Sequence, residues 1–364
     1  MSAYIGGTGP SSTRGEGGGM EQIGRRSMLT GAAVAGVATA GAVLGSALPA
    51  AAAAVGPWEY VAPGSSIQTA ITGGAKAIQL GAGTYNVTSA IVLQRAVSIR
   101  GVGQSTRIVC TASPTISEVI TISGAIDGVY LGDFVIDVAG KANVGINLDI
   151  NGTSGNYQGE PDAVCRLDNL WIYSPVQDGI VYQGTDTQAT VTTRVRVRQA
   201  GRYGYSILAP DNMFIGCEAT TASGGQSGFY VGSANCQYHS CKAWYCRGYG
   251  WHVKGTRNAF IGCESQDTKL HGWYIEYDKN AFVGCVADTA GMYDVGGTSG
   301  TADGFYVDPG VRTTMSGCLA FDRKPGGHAA QQRYGFNILT ALQSGGLFVA
   351  NTGWDNATGL VNLR

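Results

Sequence analysis

The sequence predicts an all-β fold, a single-stranded right-handed parallel β-helix (solenoid) with a short N-terminal capping helix. Two observations predict this fold class. First, cysteine and glycine each recur at a step of about 22 to 25 residues along the second half of the chain. Second, the segments between them are short and β-type, with Gly, Asn or Ser turns and no amphipathic helix in the repeat. Such a unit is too short for a propeller blade and lacks a leucine-rich pattern, so successive units are expected to stack into a solenoid.

The composition excludes several other classes of protein. The chain has 364 residues, of which 44% are hydrophobic and 13% are charged, and its formal net charge is -1. The hydrophobic fraction is large enough for a real core, so the chain is not intrinsically disordered. A nearly neutral chain without a basic stripe offers no binding surface for nucleic acid. The 57 glycines suit many tight turns between short strands.

The N-terminus has the features of an export signal. The twin arginine Arg25-Arg26 precedes a weakly hydrophobic, Ala/Gly-rich run that ends in small residues after Leu48. This pattern resembles a Tat signal peptide. Residues 1–54 are therefore expected to be a disordered n-region and signal. Residues 55–364 are expected to be the β-helix domain of a secreted, extracytoplasmic protein without stable membrane insertion after cleavage. An N-terminal membrane anchor is the alternative, although Gly and Ala make this run a poor spanning helix.

A capped helix and short strands are predicted at the start of the domain. The stretch 63–71 (PGSSIQTAI) predicts a short helix with a serine cap, which could plug the open end of the solenoid. Strands separated by glycine are then predicted at 77–80, 83–85, 90–93 and 97–103.

Five cysteines follow the repeat. They are separated by 24, 22, 22 and 33 residues: Cys217, Cys241, Cys263, Cys285 and Cys318. Free cysteine packs as a compact apolar residue, so this spacing predicts a column of buried thiols rather than disulfides among these five. Tat substrates fold in the cytoplasm, which is consistent with reduced thiols. Cys236 and Cys246 lie outside the column, and a disulfide between them is left open.

A glycine followed by a large apolar residue opens one strand of each coil. The repeats read GFYV at 228–231, GWHV at 250–253, GWYI at 272–275, GFYV at 304–307 and GFNI at 335–338. The first and third residues after the glycine are always large and apolar. The two-residue period of a strand directs these inward and directs the second and fourth residues to solvent. Two outward rows result: Tyr230, His252, Tyr274, Tyr306 and Asn337, with Lys254, Glu276 and Asp308 beside them.

Two coils carry insertions directly before the glycine strand. They span 289–303 (TAGMYDVGGTSGTAD) and 322–334 (DRKPGGHAAQQRY), leave the same corner, and are expected to rise together as one wall of a groove. The second contains a cationic set suited to a polyanionic glycan: Arg323, Lys324, His328 and Arg333. The run GGTSG at 296–300 resembles a calcium-binding repeat of β-rolls but occurs once. No cofactor is therefore expected, and calcium is kept only as an alternative.

Two stretches resemble known β-helix enzymes. The run 78–108 (IQLGAGTYNVTSAIVLQRAVSIRGVGQSTRI) resembles the opening coils of the pectate-lyase-like β-helix superfamily. The run 333–361 (RYGFNILTALQSGGLFVANTGWDNATGLV) is similar to the catalytic modules of mannuronan C5-epimerases and related polysaccharide lyases. In those epimerases the resemblance implies a catalytic Asp-Pro-His after a Gly-Phe on this strand. Here Gly304-Phe305 is followed by Asp308-Pro309, shifted by two residues, and Gly310 stands where the histidine would be.

The outward rows supply the groups that chemistry on an acidic sugar needs. Removing the proton beside a uronate carboxylate requires a cation for that carboxylate, a base, and an acid for the leaving oxygen. We therefore expect a lyase or epimerase acting on an acidic polysaccharide, with His252 as the base and Tyr274 or Tyr306 as the acid. Asp308 is expected to orient these groups or to serve as an alternative base. The remaining residues are expected to bind substrate: Tyr230, Lys254, Glu276, Arg323, Lys324, His328, Arg333 and Asn337.

Three other readings of the sequence remain open. A glycoside hydrolase could use Glu276 and Asp308 as its carboxylate pair, since coil stacking allows the separation that an inverting pair needs. A non-catalytic glycan-binding or cell-surface solenoid would need no chemistry at all. An isomerase or cyclase could use the aromatic strip as a platform for a small metabolite. No oligomeric state is predicted.

Overall fold

Successive coils of parallel strands stack in register along the chain. The computed structural model describes residues 58–126, 128–152, 165–338 and 346–362, so the signal peptide expected at 1–54 lies outside the described residues. Two short 3-10 turns, Tyr293–Val295 and Pro325–Gly327, lie in the two insertions.

One short helix and a succession of short strands make up the regular structure of the described residues. In chain order they are β1 Glu59–Val61, α1 Ile67–Thr72, β2 Ala77–Leu80, β3 Gly83–Val87, β4 Ile91–Leu93, β5 Val97–Arg100, β6 Thr106–Cys110, β7 Ile116–Gly124, β8 Val129–Asp137, β9 Ala142–Ile150, β10 Arg166–Tyr173, β11 Asp178–Gln183, β12 Val191–Thr193, β13 Arg196–Ala200, β14 Tyr203–Ile207, β15 Met213–Ile215, β16 Glu218–Thr221, β17 Ser227–Val231, β18 Gln237–His239, β19 Lys242–Cys246, β20 Tyr249–Val253, β21 Ala259–Ile261, β22 Glu264–Thr268, β23 Trp273–Ile275, β24 Asn280–Val283, β25 Val286–Ala290, β26 Phe305–Val307, β27 Thr313–Ser316, β28 Leu319–Phe321, β29 Tyr334–Asn337, β30 Leu347–Val349 and β31 Gly359–Asn362.

The strands form three faces, and every strand pair is parallel. The first face is an 11-stranded sheet in the order β4-β7-β9-β11-β14-β17-β20-β23-β26-β29-β31. The second and third faces belong to one 20-stranded sheet, because the long strands β8 and β10 pair with strands of both. Beyond β10, the second face continues through β12 and every third strand to β30, and the third through β13 to β28. The parallel β-helix predicted from the repeats is confirmed.

The helix α1 covers the beginning of the solenoid. The Ser66 hydroxyl accepts a hydrogen bond from the Thr69 N–H at 3.1 Å, which is the predicted serine cap. The helix buries Ile67, Ala70 and Ile71 against the first coils. In the part of the chain that the structure describes, no helix has the length and apolar character needed to cross a membrane.

Aromatic rings stack in two columns inside the solenoid. In one column, Trp251 stacks on Phe229 with ring centroids 4.0 Å apart and on Trp273 with centroids 4.8 Å apart. In the other, Phe260 stacks on Phe282 at 4.7 Å. The columns meet edge to face, with Trp251 and Phe260 at 5.6 Å and an interplanar angle of 84°. Such pairs contribute about 0.5–1.5 kcal/mol each beyond the burial of their surface. The inward direction predicted for the residue after each glycine is confirmed.

The predicted thiol column is also present. All nine cysteines are free and buried. The Cys285 thiol donates to the carbonyl of Phe260, one coil below, at 3.3 Å. Gly284, directly before it, has a φ of 61°, a left-handed conformation that turns the chain into the next face. Cys236 and Cys246 are free as well, so no disulfide joins them in this structure.

The recurrent glycine lies at a corner where two coils approach closely. A Cβ on Gly250 would lie 2.7 Å from the carbonyl oxygen of Gly272, and it would also overlap the side chain of Ser265 across the core. A Cβ on Gly272 would lie 2.7 Å from the carbonyl oxygen of Gly304. The glycine therefore faces the interior, like the aromatic residue that follows it, and the chain bends at this point. Only a residue without a side chain fits here, which explains why glycine recurs.

Gly250→Ala is expected to lower the free energy of unfolding by about 1–3 kcal/mol, because the added methyl group forces two coils apart. Gly359→Ala is the matched control. Gly359 lies on the same face but pairs with Tyr334, one residue before the glycine position of the corner, and its Cβ would meet only the Tyr334 ring, at 4.0 Å. We expect the control to change the free energy of unfolding by less than about 0.5 kcal/mol. Denaturant unfolding of both variants measures the difference, and equal losses would contradict the explanation.

Candidate active site

The outward row of the first face brings four ring-bearing side chains together. Tyr230, His252, Tyr274 and Tyr306 are Cα partners in the neighbouring strands β17, β20, β23 and β26. All four side chains are half-buried. The His252 ring stacks on Tyr274 with centroids 5.0 Å apart and an interplanar angle of 16°. The structure therefore places these four residues as the alternation pattern predicts.

A histidine, a glutamate and a lysine form a hydrogen-bonded chain beside this row. Nε2 of His252 lies 2.6 Å from Oε1 of Glu276, and Nζ of Lys254 lies 3.1 Å from Oε2 of the same carboxylate. The Glu276 carboxylate thus binds two residues of the preceding coil. The side chains of His252 and Glu276 are 15% and 17% exposed, so the pair is largely desolvated but still open to a ligand.

His252 is poised as a neutral base. Burial lowers the pKa of His252 below its ordinary value, although the Glu276 carboxylate acts in the opposite direction. The imidazole is therefore neutral at neutral pH. Its Nε2 carries the proton, because Nε2 faces a carboxylate that can only accept a hydrogen bond. The lone pair of Nδ1 is then free to take a proton.

Tyr274 and Asp308 form a second pair in the next coils. The Tyr274 hydroxyl donates to Oδ2 of Asp308 at 3.4 Å. Burial and the nearby Asp308 carboxylate raise the pKa of Tyr274, so the phenol keeps its proton at neutral pH. A protonated phenol therefore lies beside the neutral imidazole of His252.

The two carboxyl groups of the site differ in their electrostatic state. Burial alone would raise the pKa of Glu276, but the hydrogen bonds from His252 and Lys254 outweigh it and lower that pKa. Burial raises the pKa of Asp308, and the charge of Glu276 raises it further. Titratable neighbours with pKa values moved in opposite directions are typical of acid and base pairs in active sites.

Two side chains that the alternation pattern did not select complete the cluster. The Tyr249 ring lies 5.0 Å from that of Tyr274, and the His271 ring stacks on Tyr306 at 4.6 Å. Tyr249 and His271 each directly precede the recurrent glycine. Because the chain bends at that glycine, the two-residue alternation ends there and the preceding residue turns outward. The sequence does carry a signal for them, since Tyr203 also precedes a glycine of this column.

His271 is held as a neutral imidazole. The backbone N–H of Asp303 donates to Nδ1 of His271 at 2.9 Å, so the ring proton resides on Nε2. Burial lowers the pKa of His271 to about 4, despite the nearby Asp303 carboxylate. His271 therefore adds a neutral donor to the floor of the site.

Two residues expected to bind substrate have structural roles. Arg333 forms a two-point ion pair with the fully buried Asp303, with Nε–Oδ1 at 2.8 Å and Nη2–Oδ2 at 2.6 Å. Asn337 is 3% exposed and donates to the same carboxylate at 2.9 Å. The expectation that Asn337 faces solvent is corrected, because Asp303 draws it into a buried network. Arg202 pairs with the buried Asp178 in the same way near the other end of the row.

Arg323 also has a structural role. Its Nε lies 2.8 Å from Oδ1 of Asp288, and its Nη2 lies 2.5 Å from Oδ1 of Asp267. Both carboxylates are buried, so the guanidinium compensates two desolvated charges at once. The side chain is still 40% exposed, so a binding role for Arg323 stays a prediction.

The other two cations of this insertion differ from each other. Nζ of Lys324 lies 2.7 Å from Oδ1 of Asp355 on the exposed surface, so its charge is already paired. His328 is exposed, with its ring 5.9 Å from that of Tyr293. The expected cationic set is therefore largely neutralised within the protein, and a binding role for His328 stays a prediction.

The two insertions pack against each other, as their common corner predicts. The Ser299 hydroxyl donates to the carbonyl of Ala330 at 3.0 Å, and the Gly300 N–H donates to the carbonyl of Gln331 at 2.6 Å. No group of three or more His, Cys, Asp or Glu side chains within the described ranges could hold a metal ion. The calcium alternative for 296–300 stays a prediction.

Comparison with known proteins identifies the fold in more than half of the chain. Residues 161–358 match the family model described as "Right handed beta helix region". No curated protein matches the sequence.

Several solved structures share the architecture at low sequence identity. The A-module of a mannuronan C-5 epimerase from Azotobacter vinelandii has a TM-score of 0.57 and 13% identity, covering 84% of this chain and 98% of that one. A pectate lyase, Pel9A, has a TM-score of 0.53 and 12% identity, covering 84% and 78%. Tailspike protein 2 from Escherichia coli O157:H7 bacteriophage CAB120 has a TM-score of 0.54 and 16% identity. The match covers 81% of this chain but only 38% of the tailspike. At this level of identity, the likeness is one of fold alone.

Neutral His271 gives stability a specific dependence on pH. The unfolded state takes up this proton near pH 6.5, whereas the folded state takes it up only near pH 4, so stability falls as pH falls between these values. The shift corresponds to a loss of about 2–3 kcal/mol from this residue by pH 4. Denaturant unfolding from pH 7 to pH 4 should therefore show a smaller loss in His271→Gln than in the parent chain. The exposed His328→Gln control should keep the parent slope, and a parent slope in His271→Gln would contradict the assignment.

Proposed function

This chain belongs to the right-handed β-helix family, and from that premise we propose that it is an exported carbohydrate-active enzyme, a lyase or epimerase of acidic polysaccharides. The observation that carries the proposal is the contact between a neutral base and a protonated acid. His252, hydrogen-bonded to Glu276, stacks directly on Tyr274. Both reactions start with the removal of a proton from the carbon beside a uronate carboxylate, and they need such a pair.

In the first step, Nδ1 of His252 takes the proton from the carbon next to the carboxylate. The imidazolium that forms is stabilised by the Glu276 carboxylate at Nε2. The Lys254 ammonium uses one of its three donors on Glu276, and the side chain is 39% exposed, so its other donors can bind the substrate carboxylate. The negative charge that develops on that carboxylate is then partly neutralised.

The second step distinguishes the two reactions. In a lyase, the C–O bond to the next sugar breaks, a C=C bond forms, and the Tyr274 hydroxyl gives its proton to the leaving oxygen. In an epimerase, no C–O bond breaks, and Tyr274 returns a proton to the opposite face of the same carbon. Asp308 accepts the hydrogen bond from Tyr274 and orients it in either case. Tyr230, which meets His252 edge to face at 5.3 Å, extends the aromatic surface for a neighbouring sugar.

The comparisons support the general class of this proposal. An epimerase and a lyase named for mannuronan and pectate share the fold over most of this chain. Their identity to this chain is 13% and 12%, so the choice of reaction rests on the geometry of the described residues. Export rests on the twin arginine Arg25-Arg26 and the weakly hydrophobic run after it.

His252→Ala is expected to lower the turnover of an acidic polysaccharide by about 10²- to 10⁴-fold, because it removes the base. The assay follows polymannuronate, polyguluronate and polygalacturonate, scoring ultraviolet-absorbing unsaturated ends and, by NMR, inverted sugar residues. In the parent chain, the acid limb of kcat/KM should lie below the ordinary histidine pKa of about 6.5, because burial lowers the pKa of His252.

His239→Ala on the second face is the control, and its turnover should match that of the parent chain. Full turnover by a folded His252→Ala variant would remove the assignment of the base. Retention of glycans without any product, over the whole panel, would instead favour a binding solenoid.

A glycoside hydrolase is the second candidate, and the opposite pKa shifts of Glu276 and Asp308 favour it. In that reaction Asp308 would donate its proton to the leaving oxygen while Glu276 acts as the base or nucleophile. The products would be reducing ends without ultraviolet absorbance.

Asp308→Asn separates these two mechanisms. In a hydrolase it removes the acid, so the rate of release of reducing ends should fall by at least about 100-fold. In the lyase or epimerase, Asp308 only orients Tyr274, so the product stays the same and turnover falls by about tenfold. Tyr274→Phe gives the reverse pattern, since it removes the acid of the lyase and leaves that of the hydrolase. A large loss with Asp308→Asn but not with Tyr274→Phe would overturn the lyase mechanism.

A further inference from the structure

A groove lies on the third face, around the corner from the candidate active site. Its volume is about 580 Å³, and its lining includes three aromatic and two guanidinium side chains: Tyr173, Trp244, Tyr245, Arg198 and Arg247. Sites for small ligands typically have volumes of about 300–1,000 Å³. None of the residues of the His252 cluster lines this groove, so it is a separate feature of the surface.

A small side chain in a row of large ones creates the groove. Tyr173 and Arg198 are Cα partners in β10 and β13, and Trp244 lies in β19. Between them β16 contributes only Thr220 and Thr221 to the lining, at a point where β13 and β16 shift register. The Arg198 guanidinium reaches across this gap and lies 4.9 Å from the centre of the Trp244 ring. The result is an aromatic wall with a cation held against it.

Arg198 has a donor that the protein does not use. Its Nη2 lies 2.5 Å from Oε2 of Glu218, which also pairs with Arg196. Its Nη1 is buried and has no hydrogen-bond partner among the described residues. An unsatisfied buried donor costs about 1–3 kcal/mol, and a charged one costs more, so such an atom marks a place for an outside acceptor.

Arg247 supplies a second guanidinium on the same groove. Its Nη1 donates to the carbonyl oxygen of Asp294 at 3.1 Å, a contact that fixes the side chain without neutralising its charge. Within the described ranges Arg247 forms no ion pair with a carboxylate. This cation therefore differs from Arg323 and Arg333, whose charges are compensated by buried aspartates.

We propose that this groove binds a carboxylated sugar residue. The planar fork of an arginine matches a carboxylate in two-point hydrogen bonding, and Arg247 keeps its Nε and Nη2 for such a contact while Arg198 adds its Nη1. The faces of Trp244 and Tyr245 offer flat apolar surface for the C–H face of a sugar ring. A neutral sugar would leave the charge of Arg247 uncompensated and Nη1 of Arg198 without a charged acceptor, and a simple inorganic anion would leave the aromatic wall unused.

This assignment deepens the proposed function, on which it rests for the choice of an acidic glycan. Because the groove lies on a different face from His252, it would hold a part of the glycan remote from the reacting bond, or a second chain. Binding there would keep a long polymer on the enzyme between reactions, without touching the reacting atoms.

Calorimetric titration of the intact chain tests the groove. The probes are trisaccharides of mannuronate, guluronate and galacturonate, with maltotriose as the neutral counterpart, and His252→Ala serves as the background to limit turnover. At least one acidic probe should bind at two sites, one of which Arg247→Gln and Trp244→Ala weaken by at least tenfold. Arg257→Gln and Trp354→Ala are matched controls and should leave the titration unchanged. Arg257 makes one hydrogen bond on another corner, and Trp354 is 52% exposed.

Three results would each overturn the groove assignment. These are no binding by any acidic probe, equal binding of maltotriose, and an unchanged titration in both Arg247→Gln and Trp244→Ala. Failure of the proposed function looks different: His252→Ala would keep full turnover while the binding that depends on Arg247 remained.

Discussion

Close contact between successive coils at the glycine corner is the constraint on which the rest of this structure depends. At Gly250 and Gly272 the backbone of the next coil lies where a Cβ would be, so the coils cannot shift without a clash or a gap. Once the corner is fixed, the strands of the first face from β9 to β29 pair with their glycines opposite one another. The inward residues then form continuous aromatic stacks, in which Trp251 contacts rings above, below and across the core.

The same register places ionisable groups on neighbouring coils, where each one sets the pKa of the next. Glu276 receives hydrogen bonds from His252 and Lys254 of the preceding coil, which lower its pKa against the effect of burial. Asp308, one coil further on, has only the phenol of Tyr274 as a hydrogen-bond donor from this row and feels the charge of Glu276, so its pKa rises. A solenoid can thus place acid and base groups side by side. The repeat determines where a side chain lies on the outer face, and the residue type at that position determines whether it is an acid, a base or a cation.

Buried aspartates pair with two of the cations that the insertions contribute. Asp303 holds Arg333 and Asn337, and Asp267 and Asp288 hold Arg323, so these side chains fasten the insertions to the coils beneath them. Leaving any of these carboxylates unpaired in the interior would cost several kcal/mol. A cationic residue in a loop sequence therefore does not by itself indicate a positively charged surface, because a buried carboxylate can neutralise it. Lys254 beside the site row and Arg198 and Arg247 on the groove of the third face keep spare donors, and all three lie outside the insertions.

The sequence by itself determined the fold of the coil, because the repeated residues make the same contacts in every coil. The glycine step, the thiol column and the inward direction of Trp251 and Trp273 follow from such contacts, and the capping helix follows from its own serine cap. It also placed His252, Tyr274, Glu276 and Asp308 on one outward face, since strand alternation needs only the chain itself. The tertiary structure decided what a single strand does not encode. Because the chain bends at the glycine, Tyr249 and His271 point into the site. Aspartates of other coils form ion pairs with Arg323 and Arg333. A shift in register between β13 and β16 leaves the groove beside Trp244. Each of these outcomes depends on which residue of a different coil lies within a few ångströms. A local sequence pattern does not predict that neighbour.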